Sequence, residues 1–236
     1  MLIPLVFGTD DARNPLPWVV YVLLWVGLVP LSVLFGPVWR WLNPIRTLHW
    51  AVNRAAGLDP RLGMRQLPSG LGYWPAAIGL YAFTWLELVH PDNATLPTLR
   101  MAIAVYVLVQ LTFGFVFGSR WFDRGDAFEV WSRLFGRFSM VGRRDDGAWV
   151  ARSPLAGLDA MRGAPGLAAT VVVVLGSTAY DSFGSSTLWV GWAQASPAPR
   201  LLLDSAAMLG VILAIGLVSA YRHELEMEWK KQGKPA

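Results

Sequence analysis

The sequence predicts an all-α fold, a polytopic integral membrane helix bundle with about five transmembrane helices. Composition is the first observation behind this prediction, because 54% of the 236 residues are hydrophobic and only 15% are charged. A soluble domain carries about 25% charged residues. Five long apolar stretches are the second observation, since a helix needs about 20 residues to cross the hydrocarbon core. Continuous apolar runs also exclude the alternating pattern of a membrane β-barrel.

The five predicted spans are residues 18–35, 71–90, 98–118, 166–183 and 201–220. We interpret residues 1–236 as a single transmembrane domain built from these spans. Asp10 and Asp11 precede the first span, where a signal peptide would have a basic segment, and no small-residue cleavage site follows it. The first span is therefore expected to be retained.

The basic residues predict the orientation of the chain. Seventeen of the twenty Lys and Arg residues lie in three segments, residues 36–70, 119–165 and 221–236. Because cytoplasmic loops are enriched in Lys and Arg, the N-terminus is predicted outside and the C-terminus in the cytoplasm, as an odd number of spans requires.

The same residues bear on the partners of the chain. Besides the lipid bilayer, anionic lipid is expected at the cytoplasmic Arg-rich segments. No stacking platform or helix-turn-helix pattern accompanies the net charge of +4, so nucleic acid is not an expected partner. The chain has no Cys, which excludes disulfide-stapled modules, iron–sulfur clusters and thiolate chemistry.

Two cytoplasmic segments are predicted to be structured. Asn43 before Pro44 is a good helix N-cap, and apolar residues at helical spacing follow until Gly57, which predicts an interfacial helix. In residues 119–165, apolar residues from Phe128 to Phe138 share one helical face, while Glu129, Arg133 and Arg137 share another. Such a helix either lies in the inner headgroup layer with Arg facing anionic lipid, or packs under the bundle. Further along, residues 139–141 and 148–151 are expected to pair as a short hairpin.

Ionisable residues gather at the predicted outer ends of the spans. They are Glu87, His90, Arg100, Asp181 and Asp204. One hypothesis is an outward-open polar pocket, in which Glu87, His90, Asp181 and Asp204 hold a divalent metal or a cationic group. Arg100 and Tyr180 would then be binding residues. The alternative is that water solvates these side chains at the interface and that Arg100 pairs with Glu87 or Asp204. Gly114, Gly118 and Gly176 are interpreted as small-residue helix contacts.

Several phrases of the sequence resemble a family of polytopic bacterial membrane proteins, common in actinobacteria and often labelled fenitrothion hydrolase. They are FGPVWRWLNPIRTL at 35–48, LGYWPAA at 71–77, WLELV at 85–89, SPLAGL at 153–158 and LGSTAYD at 175–181. The resemblance implies hydrolysis of an organophosphorus triester with a metal-activated water and a general base. Glu87 and Asp181, which fall on matching phrases, would be the catalytic residues. The resemblance also implies the plasma membrane of a bacterium, that is, its inner membrane. His90 stands where an aromatic residue is usual in that family, and its relatives continue into further spans with a His-containing segment.

Three functions are compatible with the sequence. The favoured one is an accessory or structural subunit of a bacterial membrane complex, with Arg- and Trp-rich cytoplasmic segments that dock a protein partner or lipid. The second is a membrane-bound hydrolase acting on a phosphotriester-like substrate. The third is a small transporter component that uses the same acidic pocket, although the sequence has no internal repeat.

Overall fold

A computed structural model describes residues 5, 8–11, 13–143, 149–151, 153 and 163–231. The chain divides into two compact units. Unit 1 comprises Met1–Gly79 and Asp92–Leu167, and unit 2 comprises Leu80–Pro91 and Ala168–Ala236. Each unit is treated by itself below, and the single transmembrane domain stays a prediction.

The described residues are mainly helical, which confirms the all-α class. The helices are α1 (Trp18–Phe35), α2 (Trp39–Leu42), α3 (Pro44–Ala55), α4 (Trp74–Leu88), α5 (Leu96–Phe117), α6 (Phe122–Gly125), α7 (Ala127–Gly136), α8 (Leu167–Gly184), α9 (Thr187–Ala195) and α10 (Arg200–Lys231). Short 3₁₀ turns cover Ser69–Leu71 and Gly118–Arg120.

The predicted hairpin is confirmed with slightly shifted bounds. Strand β1 (Val141–Arg143) pairs antiparallel with β2 (Trp149–Ala151), so that Gly142 lies opposite Val150. The sequence predicts its turn at residues 143–147, of which residues 144–147 lie outside the described residues.

Four helices within the described residues are long and apolar enough to cross a membrane. They are Trp18–Phe35, Leu96–Arg120, Leu167–Gly184 and Arg200–Arg222. The remaining predicted span, residues 71–90, contains α4, which has 15 residues. At 1.5 Å per residue α4 is about 22 Å long, shorter than the roughly 30 Å of a hydrocarbon core.

The path of the chain around α5 supports a crossing by α4. The Tyr21 hydroxyl donates a hydrogen bond to the Asn93 carbonyl (2.8 Å), just before α5 begins. At the other end of α5, the Arg65 N–H donates to the Val116 carbonyl (2.8 Å). Between these two contacts the chain passes from one end of α5 to the other, a distance of about 33 Å for 22 residues, within residues 66–92. α4 lies in this returning stretch, and the fifth span and the orientation of the termini stay predictions.

The first half of α1 departs from ordinary α-helical geometry. Trp18–Val26 is wound as a π-helix, and Pro30, which has no N–H to donate, follows within the same helix. The indole of Trp131 stacks on Trp25 at 4.1 Å between ring centroids, and its Nε1 donates to the Trp25 carbonyl (3.4 Å). This contact attaches α7 to α1 within the π-helical stretch Trp18–Val26.

In unit 2, α8 and α10 pack antiparallel through glycine. A Cβ atom built on Gly176 would lie 2.6 Å from Cγ1 and 2.7 Å from Cα of Ile212. One turn away, Gly216 faces Val172. Small residues let two membrane helices approach closely, so the predicted helix-contact role of Gly176 is confirmed.

Candidate functional site

The predicted outer residues Tyr180 and Asp204 meet in unit 2. One Asp204 oxygen accepts a hydrogen bond from Trp189 Nε1 (2.8 Å), and the other accepts one from Arg200 Nε (2.6 Å). The Tyr180 hydroxyl also hydrogen-bonds to this carboxylate. Asp204 is thus held by an indole, a guanidinium and a phenol from three helices.

Glu87 and Asp181 also lie near each other, since their carboxylates interact electrostatically. His90 sits with its ring edge against Trp85, 5.7 Å between centroids, and Trp85 Nε1 donates to Ser205 Oγ (2.9 Å). In the part of the chain that the structure describes, no three His, Asp or Glu side chains are grouped so that they could hold a metal ion. The metal and catalytic roles of these residues stay predictions.

Arg100 belongs to unit 1, where its guanidinium donates to two backbone carbonyls. Its Nε lies 2.6 Å from the Leu5 oxygen, and its Nη2 lies 3.2 Å from the Gly8 oxygen. These bonds fasten the segment before α1 to the start of α5.

A second polar cluster, which the sequence did not predict, lies inside unit 1 around Asp126. The Asp126 carboxylate is fully buried and accepts hydrogen bonds from Asn43 Nδ2 (2.8 Å) and the Tyr106 hydroxyl (2.6 Å). It also accepts from the Glu129 N–H (3.0 Å), so it caps α7. The Asn43 Oδ1 in turn caps α3 by accepting from the N–H of Ile45. We call Asp126, Asn43, Tyr106, Glu129 and Arg46 the Asp126 network.

Glu129 and Arg46 form the charged part of the Asp126 network. Arg46 Nη1 donates to Glu129 Oε1 (2.5 Å) and to Asp123 Oδ1 (3.2 Å). Glu129 is fully buried, and among the described residues its Oε2 has no hydrogen-bond partner. A buried, incompletely bonded carboxylate is costly when ionised.

Burial raises the pKa of Glu129 to about 7, since removal from water outweighs the favourable charge of Arg46. Burial also raises the pKa of Asp126, against the hydrogen bonds that Tyr106 and the Glu129 N–H donate to its charged form. The pKa of His49, buried against Phe122 at 5.4 Å between ring centroids, is lowered by burial. His49 is therefore neutral at neutral pH.

The chain after α5 folds back along that helix and satisfies a polar residue within the span. Trp121 Nε1 donates to Gln110 Oε1 (2.7 Å), and Gln110 Nε2 lies 3.4 Å from the Gly125 carbonyl. Tyr106 of α5 likewise donates to Asp126 at the start of α7, so both polar side chains have partners inside the protein. The Asp126 network and the Gln110 hydrogen bonds therefore join neighbouring helices of unit 1.

The structure corrects the interpretation of Glu129. The sequence places it beside Arg133 and Arg137 on a polar helix face, but Glu129 is buried and pairs with Arg46, 83 residues away. The burial of this helix agrees with packing inside the protein, while Arg133 near its end keeps an accessible side chain. Residues 127–132 are all buried, as in a helix packed within its unit. One signal in the sequence pointed to this end of α7, because Asp126 and Glu129 have capping-box spacing.

Fold and contacts together define the class of this molecule. It is a multi-pass helical protein in which buried polar side chains join helices, and its apolar helices fit a lipid bilayer. No family model, curated protein or solved structure that we compared with this chain matches it.

Proposed function

We propose that the protein is an accessory or structural subunit of a bacterial plasma-membrane complex, and that segment 48–64 docks a protein partner. One observation carries the proposal: this segment lies outside the four candidate spans and yet exposes many large apolar side chains. They are Leu48, Trp50, Val52, Leu58, Leu62 and Met64. We call this set the apolar surface.

Exposed apolar patches of this kind mark sites of protein or membrane contact. Contacts on its inner side hold α3 in place. Its buried residues Ile45, His49 and Asn53 face inward, and the Asn43 side chain that caps it donates to Asp126. The Asp126 network gives a second line of support for the subunit proposal. The Asp126 carboxylate and the Asn43 amide are occupied in joining α3, α5 and α7, as expected of a scaffold.

The test is purification of the tagged full chain from its native membranes in mild detergent, followed by native mass spectrometry and metal analysis. We expect a partner at fixed stoichiometry. A variant with Trp50→Ser and Leu62→Ser should recover about tenfold less of it, since each 1.4 kcal/mol of lost contact energy is a factor of ten.

Leu188→Ser with Leu217→Ser is the matched control, because both leucines are exposed and lie outside the apolar surface. This variant should recover the partner as the wild type does. A lone wild-type chain, or equal loss in both variants, would contradict the subunit proposal.

The second candidate is a membrane-bound hydrolase of the fenitrothion hydrolase-like kind, or a small transporter component. It is supported by the interaction between Glu87 and Asp181 and by the Tyr180–Asp204 contact at the same end of α8. In this proposal Glu87 and Asp181 would handle protons, and a divalent metal would join them. A lone chain with stoichiometric metal in the same experiment would favour this candidate over the subunit.

A further inference from the structure

We propose that Arg40 and Arg133, which meet at Asp123 in unit 1, bind the phosphate group of an anionic phospholipid. This inference goes beyond the subunit role and depends only on the placement of the chain in a membrane. We call Arg40, Arg133 and Asp123 the rim site.

Three guanidinium groups converge on one carboxylate. Asp123 Oδ1 lies 3.2 Å from Arg46 Nη1, 3.6 Å from Arg40 Nη1 and 3.8 Å from Arg133 Nη1. Arg46 also pairs with the buried Glu129. The three guanidinium groups thus face at most two carboxylates, Asp123 and Glu129, so the cluster keeps at least one net positive charge, which attracts a phosphodiester.

Among the described residues, the two arginines also have guanidinium N–H groups for which no acceptor is found. The Arg40 and Arg133 contacts with the Asp123 carboxylate are longer than a hydrogen bond, and Arg133 Nη1 donates to the Asp123 backbone carbonyl (2.7 Å). Both side chains remain accessible, 48% exposed for Arg40 and 31% for Arg133. A guanidinium has five N–H groups in a planar fork that fits two oxygens of a phosphate.

The position of the rim site favours a lipid as the source of that phosphate. Arg40 follows the end of span α1 at Phe35 by five residues. Trp41 and Leu42, the next residues in the chain, are 81% and 62% exposed. A tryptophan exposed beside a cation at the end of a span is typical of the headgroup level, where the ring enters the bilayer and the cation meets phosphate.

Binding to defined lipids tests the proposal. The purified full chain in neutral detergent is titrated with phosphatidylglycerol, with phosphatidylcholine and with inorganic phosphate, and bound ligand is counted by native mass spectrometry. We expect binding of phosphatidylglycerol, and a loss of affinity of about tenfold or more in the Arg40→Gln/Arg133→Gln variant, since the variant removes the charge-assisted hydrogen bonds to the phosphate.

Arg54→Gln/Arg65→Gln is the matched control. It removes the same charge from the same predicted side, and both residues are exposed and distant in sequence from the rim site. We expect this variant to change the affinity by less than about twofold. The Arg40→Lys/Arg133→Lys variant, which keeps the charge without the fork, should bind with intermediate affinity. Equal loss in both Gln variants would overturn the rim site in favour of a general charge effect.

Two further results would overturn the lipid assignment. One is binding of inorganic phosphate as tight as that of phosphatidylglycerol. The other is binding of an acidic peptide without binding of lipid. Arg46 keeps its ion pairs in every variant, so the fold of unit 1 is expected to persist, and thermal unfolding without lipid checks this. The single Arg40→Gln variant, expected to weaken lipid binding several-fold, serves if the double variant is unstable.

Discussion

Replacement of Asp126 by Ala is expected to lower the free energy of unfolding by about 3–5 kcal/mol. The substitution leaves Asn43 Nδ2, the Tyr106 hydroxyl and the Glu129 N–H without their acceptor inside a buried site. Each buried donor left unbonded costs roughly 1–3 kcal/mol, and the N-cap of α7 is lost as well. The loss is measured by titrating the protein in neutral micelles with sodium dodecyl sulfate and following tryptophan fluorescence.

Asp59→Ala is the control for this change. Asp59 is exposed, and its carboxylate accepts only a local bond from the Arg61 N–H (2.9 Å) among the hydrogen bonds found for it. We expect a loss under about 1 kcal/mol. If Asp126→Ala behaved like Asp59→Ala, the Asp126 network would not be what holds α3, α5 and α7 together.

Gly176→Leu is expected to separate α8 from α10 and to cost about 3 kcal/mol. Because a Cβ at this position would lie 2.7 Å from the Ile212 backbone, the new side chain cannot be accommodated by a rotamer change alone. Overpacking of a close contact costs typically 1–3 kcal/mol even for smaller insertions. The same titration in micelles measures the loss.

Gly210→Leu tests the same substitution on α10 at a position with open space around the built Cβ. We expect it to be neutral or slightly stabilising, since leucine favours a helix over glycine. Equal losses at Gly176 and Gly210 would show that the glycine contact does not determine how unit 2 packs.

The sequence predicted the helices that are determined by residues close together in the chain. The lengths of the apolar stretches place the four candidate spans to within a few residues. The N-cap Asn43 before Pro44 places the start of α3, which ends at Ala55. α9 was missed. Its residues, Thr187–Ala195, lie between two spans, and their only local start signal is Ser186, which accepts a hydrogen bond from the Trp189 N–H (3.2 Å).

The Asp126 network could not be predicted because its pairs are far apart in the chain. Nothing in the spacing of Glu129 indicates Arg46 as its partner, whereas Arg133 stands four residues away, where helical pairs normally form. Burial decides the outcome: Glu129 lies in the interior of unit 1, and Arg46 is the cation that reaches it there. At the predicted outer site the sequence found Asp204 and Tyr180, but the local Arg200 and the distant Trp189 complete their contacts.

The direction of the chain across the bilayer decides which side of the membrane carries the apolar surface and the rim site. The chain contains no Cys, so single cysteines can be introduced and labelled with a membrane-impermeant maleimide on intact cells. Exposed positions are chosen on both predicted sides: Leu62 and Met140 inside, Asp92 and Ala198 outside. We expect Asp92→Cys and Ala198→Cys to react at once, and Leu62→Cys and Met140→Cys to react only after permeabilisation. Labelling of Met140→Cys on intact cells would contradict the account.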